Sequence, residues 1–223
     1  MNVVIFGATG MVGQGVLREC LLDSRVERVV TVGRRATGQR HPRLRELVVT
    51  DLFDLSAIES DLTGLDACFF SLGASAAGSS EKTYTRVNHD LPLSVAHVLL
   101  RLNPALTFVY VSGMGTDSTE RGRVMWARVK GRTENALLRL PFKAAYMFRP
   151  ALIVPMHGIR SSTTWYRILY AVLAPLLPLI RRLRPDYVTT TERVGRAMLT
   201  VAADGVPTFV LENADINAVQ GSR

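Results

Sequence analysis

The stretch that most restricts what this chain can fold into is its first 35 residues. Residues 2–6 (NVVIF) are a short apolar run rich in β-branched side chains, the composition of a buried strand. Gly7-Ala8-Thr9-Gly10-Met11-Val12-Gly13 follows, and apolar residues then recur at helical spacing: Val12, Val16, Leu17, Cys20 and Leu21. Strand, glycine turn and helix in that order make a cradle for a pyrophosphate. The glycines permit a tight turn and close approach of backbone to phosphate, and the helix start supplies free N–H donors and the positive end of its dipole. The expected contacts are Gly7, Thr9, Gly10, Met11, Val12 and Gly13. A glycine turn with no ligand is the plainer alternative, and the flanking elements weigh against it.

A second apolar run, residues 26–32, stands where the next parallel strand should be, and it ends in Gly33-Arg34-Arg35. A protein selective for NAD usually carries an acidic residue here, to bond the ribose hydroxyls. Arginine instead suits a 2′-phosphate, because its guanidinium fork pairs with phosphate oxygens and its face stacks on adenine. The expected cofactor is therefore NADP(H) in preference to NAD(H), held by Arg34 and Arg35. A solvated basic loop is the alternative.

Further strands are expected over residues 46–49, 66–70, 106–111, 144–148 and 207–212. Helices are expected near Leu55 and over residues 83–102, 124–140 and 188–203. Pro92 falls inside the second of these and should kink it. This alternation describes an α/β fold, a doubly wound parallel sheet of the Rossmann type. With 223 residues, 48% hydrophobic composition and no linker or repeat, the chain reads as one domain over residues 1–223. Residues 155–187 form a small substrate or cap region within it. Asp51 and Leu52 end the third strand beside the cofactor site, where Asp51 would either bond the adenine amino group or cap the following helix. Leu72 and Gly73 follow the fourth strand, where small residues let backbone lie against the cofactor.

Together these residues resemble the short-chain dehydrogenase/reductase superfamily. They are similar in particular to its atypical branch, which includes Tat-interacting-protein-like oxidoreductases and bacterial NAD-dependent epimerase/dehydratase relatives. The markers run in order: the three glycines, Gly33-Arg34-Arg35, Asp51-Leu52, Ser71-Leu72-Gly73, Val87-Asn88, Val111-Ser112, Val129-Lys130-Gly131 and Phe148-Arg149-Pro150. The resemblance implies Ser112 and Lys130 as catalytic residues and adds Asn88, Ser112, Lys130, Arg149 and Pro150 to the cofactor site. In the superfamily, a tyrosine four residues before the lysine shares its helix face, and the lysine lowers its pKa for proton exchange with substrate. Here that position holds Trp126, whose indole donates a hydrogen bond but has no usable acid/base pKa. The expected function is an oxidoreductase acting on a small carbonyl or alcohol. The alternative is an NADP(H)-sensing protein without catalysis. Tyr84 and His157 are the remaining candidates for a substitute acid, and an ordinary structural tyrosine and loop histidine are the plainer readings.

Nearly all the basic charge is arginine, and the formal net charge is +8. No nucleic-acid-binding motif accompanies it, so nucleic acid is not an expected partner. Cys20 and Cys68 fall on core elements without metal spacing, and no metal is expected. With a core strand at the start and no signal peptide, a cytoplasmic location is expected. The apolar run of residues 168–180 is shorter than the ~20 residues that span a bilayer. It suits a substrate cap or a homodimer face better than a membrane-surface helix.

Overall fold

A computed structural model describes residues 1–159 and 185–219. Its centre is a seven-stranded parallel sheet in the order β3-β2-β1-β4-β5-β6-β9. The strands are β1 (Asn2–Phe6), β2 (Arg28–Gly33), β3 (Leu44–Val48), β4 (Ala67–Phe70), β5 (Thr107–Val111), β6 (Ala144–Arg149) and β9 (Val210–Glu212). Strand order reverses between β1 and β4, whose registers against each other include Ile5 opposite Phe69 and Phe6 opposite Phe70. In open α/β sheets a ligand crevice forms at such a reversal, beyond the carboxyl ends of the strands.

Alternation along the strands builds two cores, one on each face. Val3, Ile5, Phe69, Val109 and Phe148 face α1 (Met11–Leu22) and α5 (Thr191–Ala203), where Val16, Leu17, Val194 and Met198 close the layer. Val4, Phe6, Phe70, Phe108 and Tyr110 face the other way, against Val95 and Leu99 of α3 (Leu91–Leu102) and Leu137 of α4 (Met125–Leu138). Both cysteines are buried within these layers. The result is one doubly wound α/β domain, as expected.

Three local readings need correction. The helix expected over residues 83–102 begins earlier, as α2 (Glu81–Thr85), and passes through a π turn at Arg86–Asp90 before α3. Pro92 has no N–H for the carbonyl of Asn88, and that oxygen accepts instead from the Tyr110 hydroxyl (3.1 Å) and the Thr133 hydroxyl (2.8 Å). The helix expected to start at Val188 starts at Thr191. Val188–Thr190 are β8, paired in parallel with β7 (Leu152–Val154), and the Thr190 hydroxyl caps α5 by accepting from the Arg193 N–H at 3.0 Å. Past the last expected strand, where no further element was expected, the chain forms α6 (Asn213–Ala218), started by a capping box between Glu212 and Asp215. Most of the cap region expected over residues 155–187, with its apolar run and the dimer or membrane face assigned to it, lies outside the described residues. No described helix is long and apolar enough to cross a membrane.

Candidate functional site

The glycine turn after β1 is shaped by contacts that no side chain tolerates. Gly7 adopts φ +87°, and a Cβ there would lie 2.7 Å from the Leu72 nitrogen. A Cβ on Gly13 would lie 2.1 Å from the Gly7 oxygen, so the first turn of α1 sits directly on the strand end. The Gly10 N–H closes the turn on the Gly7 oxygen at 2.9 Å. Gly10 is also the N-cap of α1, so no side chain covers the helix start, and no acidic residue occupies the first turn. The first-turn N–H groups of Met11, Val12 and Gly13 therefore have no intrahelical or capping partner, the arrangement that receives phosphate oxygens.

A cleft of about 210 Å³ opens over this turn. Its walls are residues 7–10, the end of β2 with Arg34 and Arg35, Leu52, and the loop 71–73 after β4. Gly7, Thr9, Gly10, Arg34, Arg35, Leu52, Leu72 and Gly73 of the sequence reading thus share one cavity. Arg34 and Arg35 are exposed, and no carboxylate pairs with either among the described residues. Thr31, Thr37 and Ser71 also line the cleft. Ser71 belongs to the Ser71-Leu72-Gly73 marker, whereas Thr31 and Thr37 are single polar residues with no spacing signal in the sequence.

Two expected cofactor residues, Asn88 and Asp51, lie outside the cleft lining. Asn88 is 1% exposed. Its Oδ1 accepts from the Ala74 N–H at 3.2 Å and its Nδ2 donates to the Tyr84 oxygen at 3.1 Å, so it buttresses the loop beyond Gly73. Asp51 is exposed, and its Oδ1 accepts from the Phe53 N–H at 2.9 Å. The start of the following 3₁₀ turn at Ser56 is bonded by Asp54, so Asp51 is not its cap.

Beyond β5, two strands along from β1, lies a second cluster. The Lys130 Nζ donates to the main-chain oxygens of Ser112 (2.7 Å) and Val111 (3.3 Å). Burial pushes its pKa down to about 8, with Glu134 opposing the shift. The Ser112 hydroxyl lies 2.5 Å from Glu134 Oε1 and 3.0 Å from the Phe148 oxygen. Glu134 is 1% exposed, and the Arg149 guanidinium grips both its oxygens. Arg149 also reaches Glu212 (3.0 Å) and Ser118, and its pKa is raised chiefly by the hydrogen bond to Glu134. The Arg149 side chain is thus committed within the protein. Pro150 is buried, and its oxygen accepts from the Met114 N–H at 3.0 Å. Trp126 lies one helical turn before Lys130, and a Cβ on Gly115 would meet the edge of its indole at 3.5 Å.

Glu134 was not singled out in the sequence. Its only signal there is its place four residues after Lys130, on the face that also carries Trp126. Tyr84 is buried at 2% exposure, as a structural tyrosine would be. His157, at φ +57°, bonds Glu192 at 2.7 Å, and that bond is the main cause of the lowered Glu192 pKa. Among the described residues no group of three His, Cys, Asp or Glu side chains could hold a metal.

Comparison with known proteins agrees with this geometry. The NAD dependent epimerase/dehydratase family matches residues 3–120. The protein fmp52, mitochondrial, of Emericella nidulans is 33% identical over 159 residues, covering 68% of this chain and 66% of that protein. Its namesake from Aspergillus fumigatus is 31% identical over 159 residues, with the same coverage. The chain thus matches slightly under two thirds of the length of these relatives. Among solved structures, MoeE5 in complex with UDP-glucose and NAD superimposes with a TM-score of 0.67 at 18% identity, covering 94% of this chain and 74% of the other. At that identity the likeness speaks for the fold. The expectation of a cytoplasmic location is overturned, because the relatives are named as mitochondrial proteins. The sequence argument rested on the lack of a recognisable signal peptide, which says nothing about other routes of targeting.

Proposed function

The chain belongs to the NAD dependent epimerase/dehydratase family, and from that premise we propose that it is an NADP(H)-dependent oxidoreductase of a small alcohol or carbonyl. The observation that carries the reading is the joint one of an uncapped glycine cradle and, beyond β5, a lysine fixed on the main chain of Ser112. The cradle fits a dinucleotide: Gly7 and Gly13 let the turn pack on main chain where a Cβ would collide, and the start of α1 offers donors that no side chain caps. Arg34 and Arg35 would hold a 2′-phosphate at the end of β2. Lys130 would bind the nicotinamide ribose, and Ser112 would meet the substrate oxygen. When bound, the dinucleotide supplies or accepts the hydride. Trp126 gives shape to the site and can donate one hydrogen bond, but it moves no proton.

The test is titration of the purified protein with NADPH and NADH, followed by ligand fluorescence. Saturable, NADPH-selective binding is expected. Binding of neither would overturn the proposal. Trp126 also favours a second reading, a sensor that binds NADP(H) without turnover. Lys130→Ala separates the two: loss of a native activity with cofactor binding retained supports the enzyme, whereas a wild type that binds and turns over nothing supports the sensor.

A further inference from the structure

The oxidoreductase reading needs a proton path without a tyrosine, and the surroundings of Ser112 offer one. The Ser112 hydroxyl has one proton and two neighbouring acceptors, Glu134 Oε1 at 2.5 Å and the Phe148 oxygen at 3.0 Å. The Arg149 fork lies on both oxygens of Glu134, an arrangement that selects the ionised carboxylate, which only accepts. The shorter, charge-assisted contact therefore takes the hydroxyl proton. Among the described residues no group donates to the Ser112 Oγ, since Lys130 bonds the main-chain oxygen of that residue. The hydroxyl is left with a lone pair for an incoming donor.

Resting on the oxidoreductase reading above, we propose that Glu134 is a positioning residue that makes Ser112 the acceptor for a substrate hydroxyl and then receives the proton that Ser112 passes on. In the alcohol-oxidising direction, the substrate O–H bond breaks as its proton moves to Ser112 Oγ. The Ser112 O–H bond breaks as its proton moves to Glu134 Oε1. The hydrogen on the carbinol carbon would leave with its electron pair as the C=O bond forms, a bound oxidised nicotinamide dinucleotide being the acceptor of that hydride. Glu134 ends neutral, and the reverse sequence returns the proton to a carbonyl oxygen. The charged and titratable groups facing Glu134 are Arg149 from β6, Lys130 from its own helix and Tyr110 from β5, with Glu212 beyond Arg149. With Arg149 and Lys130 beside it, Glu134 does not keep that proton: once the carbonyl product has left, it returns to Ser112 Oγ as the serine proton passes to water entering the site.

The experiment follows the Glu134 carboxyl carbon by NMR against pH, in the protein without cofactor. A hydrogen bond to the charged form lowers a carboxyl pKa. Ser112→Ala is therefore expected to raise the Glu134 midpoint, and Ser112→Thr, which keeps a hydroxyl, to restore it. An unchanged midpoint in Ser112→Ala overturns the proposal. Oxidation of a series of secondary alcohols is then followed against pH. The expected acid limb of kcat coincides with the Glu134 midpoint, and Glu134→Gln lowers kcat at least ~10-fold with dinucleotide affinity unchanged. An acid limb that survives Glu134→Gln overturns the relay, as does a protein that binds NADPH and oxidises no alcohol of the series. Should Glu134→Gln fail to fold, the two Ser112 variants decide. Absence of dinucleotide binding sinks the functional reading, and it is distinguishable because the carboxyl titration needs no cofactor.

Discussion

The Lys130 ammonium stands 2.7 Å from the main-chain oxygen of Ser112, so the helix that carries the lysine and the strand end that carries the serine are tied at one point. Desolvation there lowers the lysine pKa to about 8 from its ordinary 10.5. Between those values the unfolded chain holds a proton that the folded protein has released. Stability therefore rises with pH across that window. Thermal melts of wild type against Lys130→Met should show the wild type gaining on the variant from about pH 8 to 10.5. A constant difference in Tm over that range would mean that Lys130 titrates normally.

Gly13→Ala should be among the most damaging single-methyl changes in the chain. Its Cβ would lie 2.1 Å from the Gly7 oxygen, and backbone on both sides leaves nothing to yield. A loss of ~2 kcal/mol or more is expected, at the upper end of overpacking costs. Gly10→Ala, whose Cβ would meet the same oxygen at 3.3 Å, should cost less. Urea unfolding of the pair checks the order.

Arg34→Asp tests the choice of cofactor. Removing a guanidinium and adding a carboxylate at the cleft wall should weaken NADPH binding at least ~10-fold, since a charge-assisted pair contributes roughly 1.5–3 kcal/mol. NADH affinity should change far less. Equal losses would show that Arg34 does not meet the 2′-phosphate.

Trp126→Tyr places a phenol one turn before Lys130. If the position is the proton-transfer site of the superfamily that the chain resembles, carbonyl reduction should rise, by ~100-fold for a well-placed acid. Steady-state rates with NADPH and a panel of small ketones provide the check. No change would mean that the proton takes another path.

Arg149→Met should unfold the protein more readily than its partial exposure suggests. It leaves the Glu134 carboxylate, 1% exposed, without its cation. Breaking a buried pair from one side costs ~3–5 kcal/mol. Differential scanning calorimetry should show a correspondingly lower Tm, and a loss within 1 °C would mean that Glu134 finds another partner.

Much of the fold is legible in sequence because the signals are local. The strand at residues 2–6, the glycine turn and the α1 spacing are all contained in one short segment, and β1, β2, β4 and β5 announce themselves by β-branched or aromatic residues, unlike β3 with its Leu-Arg-Glu-Leu-Val. Boundaries fail where tertiary pairing overrides propensity. Val188–Thr190 looks like a helix start, yet β7 is available as a partner and takes it as a strand. Asn88 matches the superfamily motif, but only the fold shows its amide holding loop 73–74.

By itself the sequence determined the layer order, the glycine cradle and the arginines at the end of β2, because each depends on neighbours a few residues apart. The Ser112–Glu134–Arg149 chain was decided only by the tertiary structure. Its members are 22 and 15 residues apart, just past β5, on α4 and on β6. Nothing local marks Glu134 as a carboxylate to be desolvated. That outcome requires α4 to pack its Lys130 and Glu134 face across the ends of two parallel strands, where burial leaves the carboxylate no water and the nearest donors are a serine and an arginine from elsewhere in the chain.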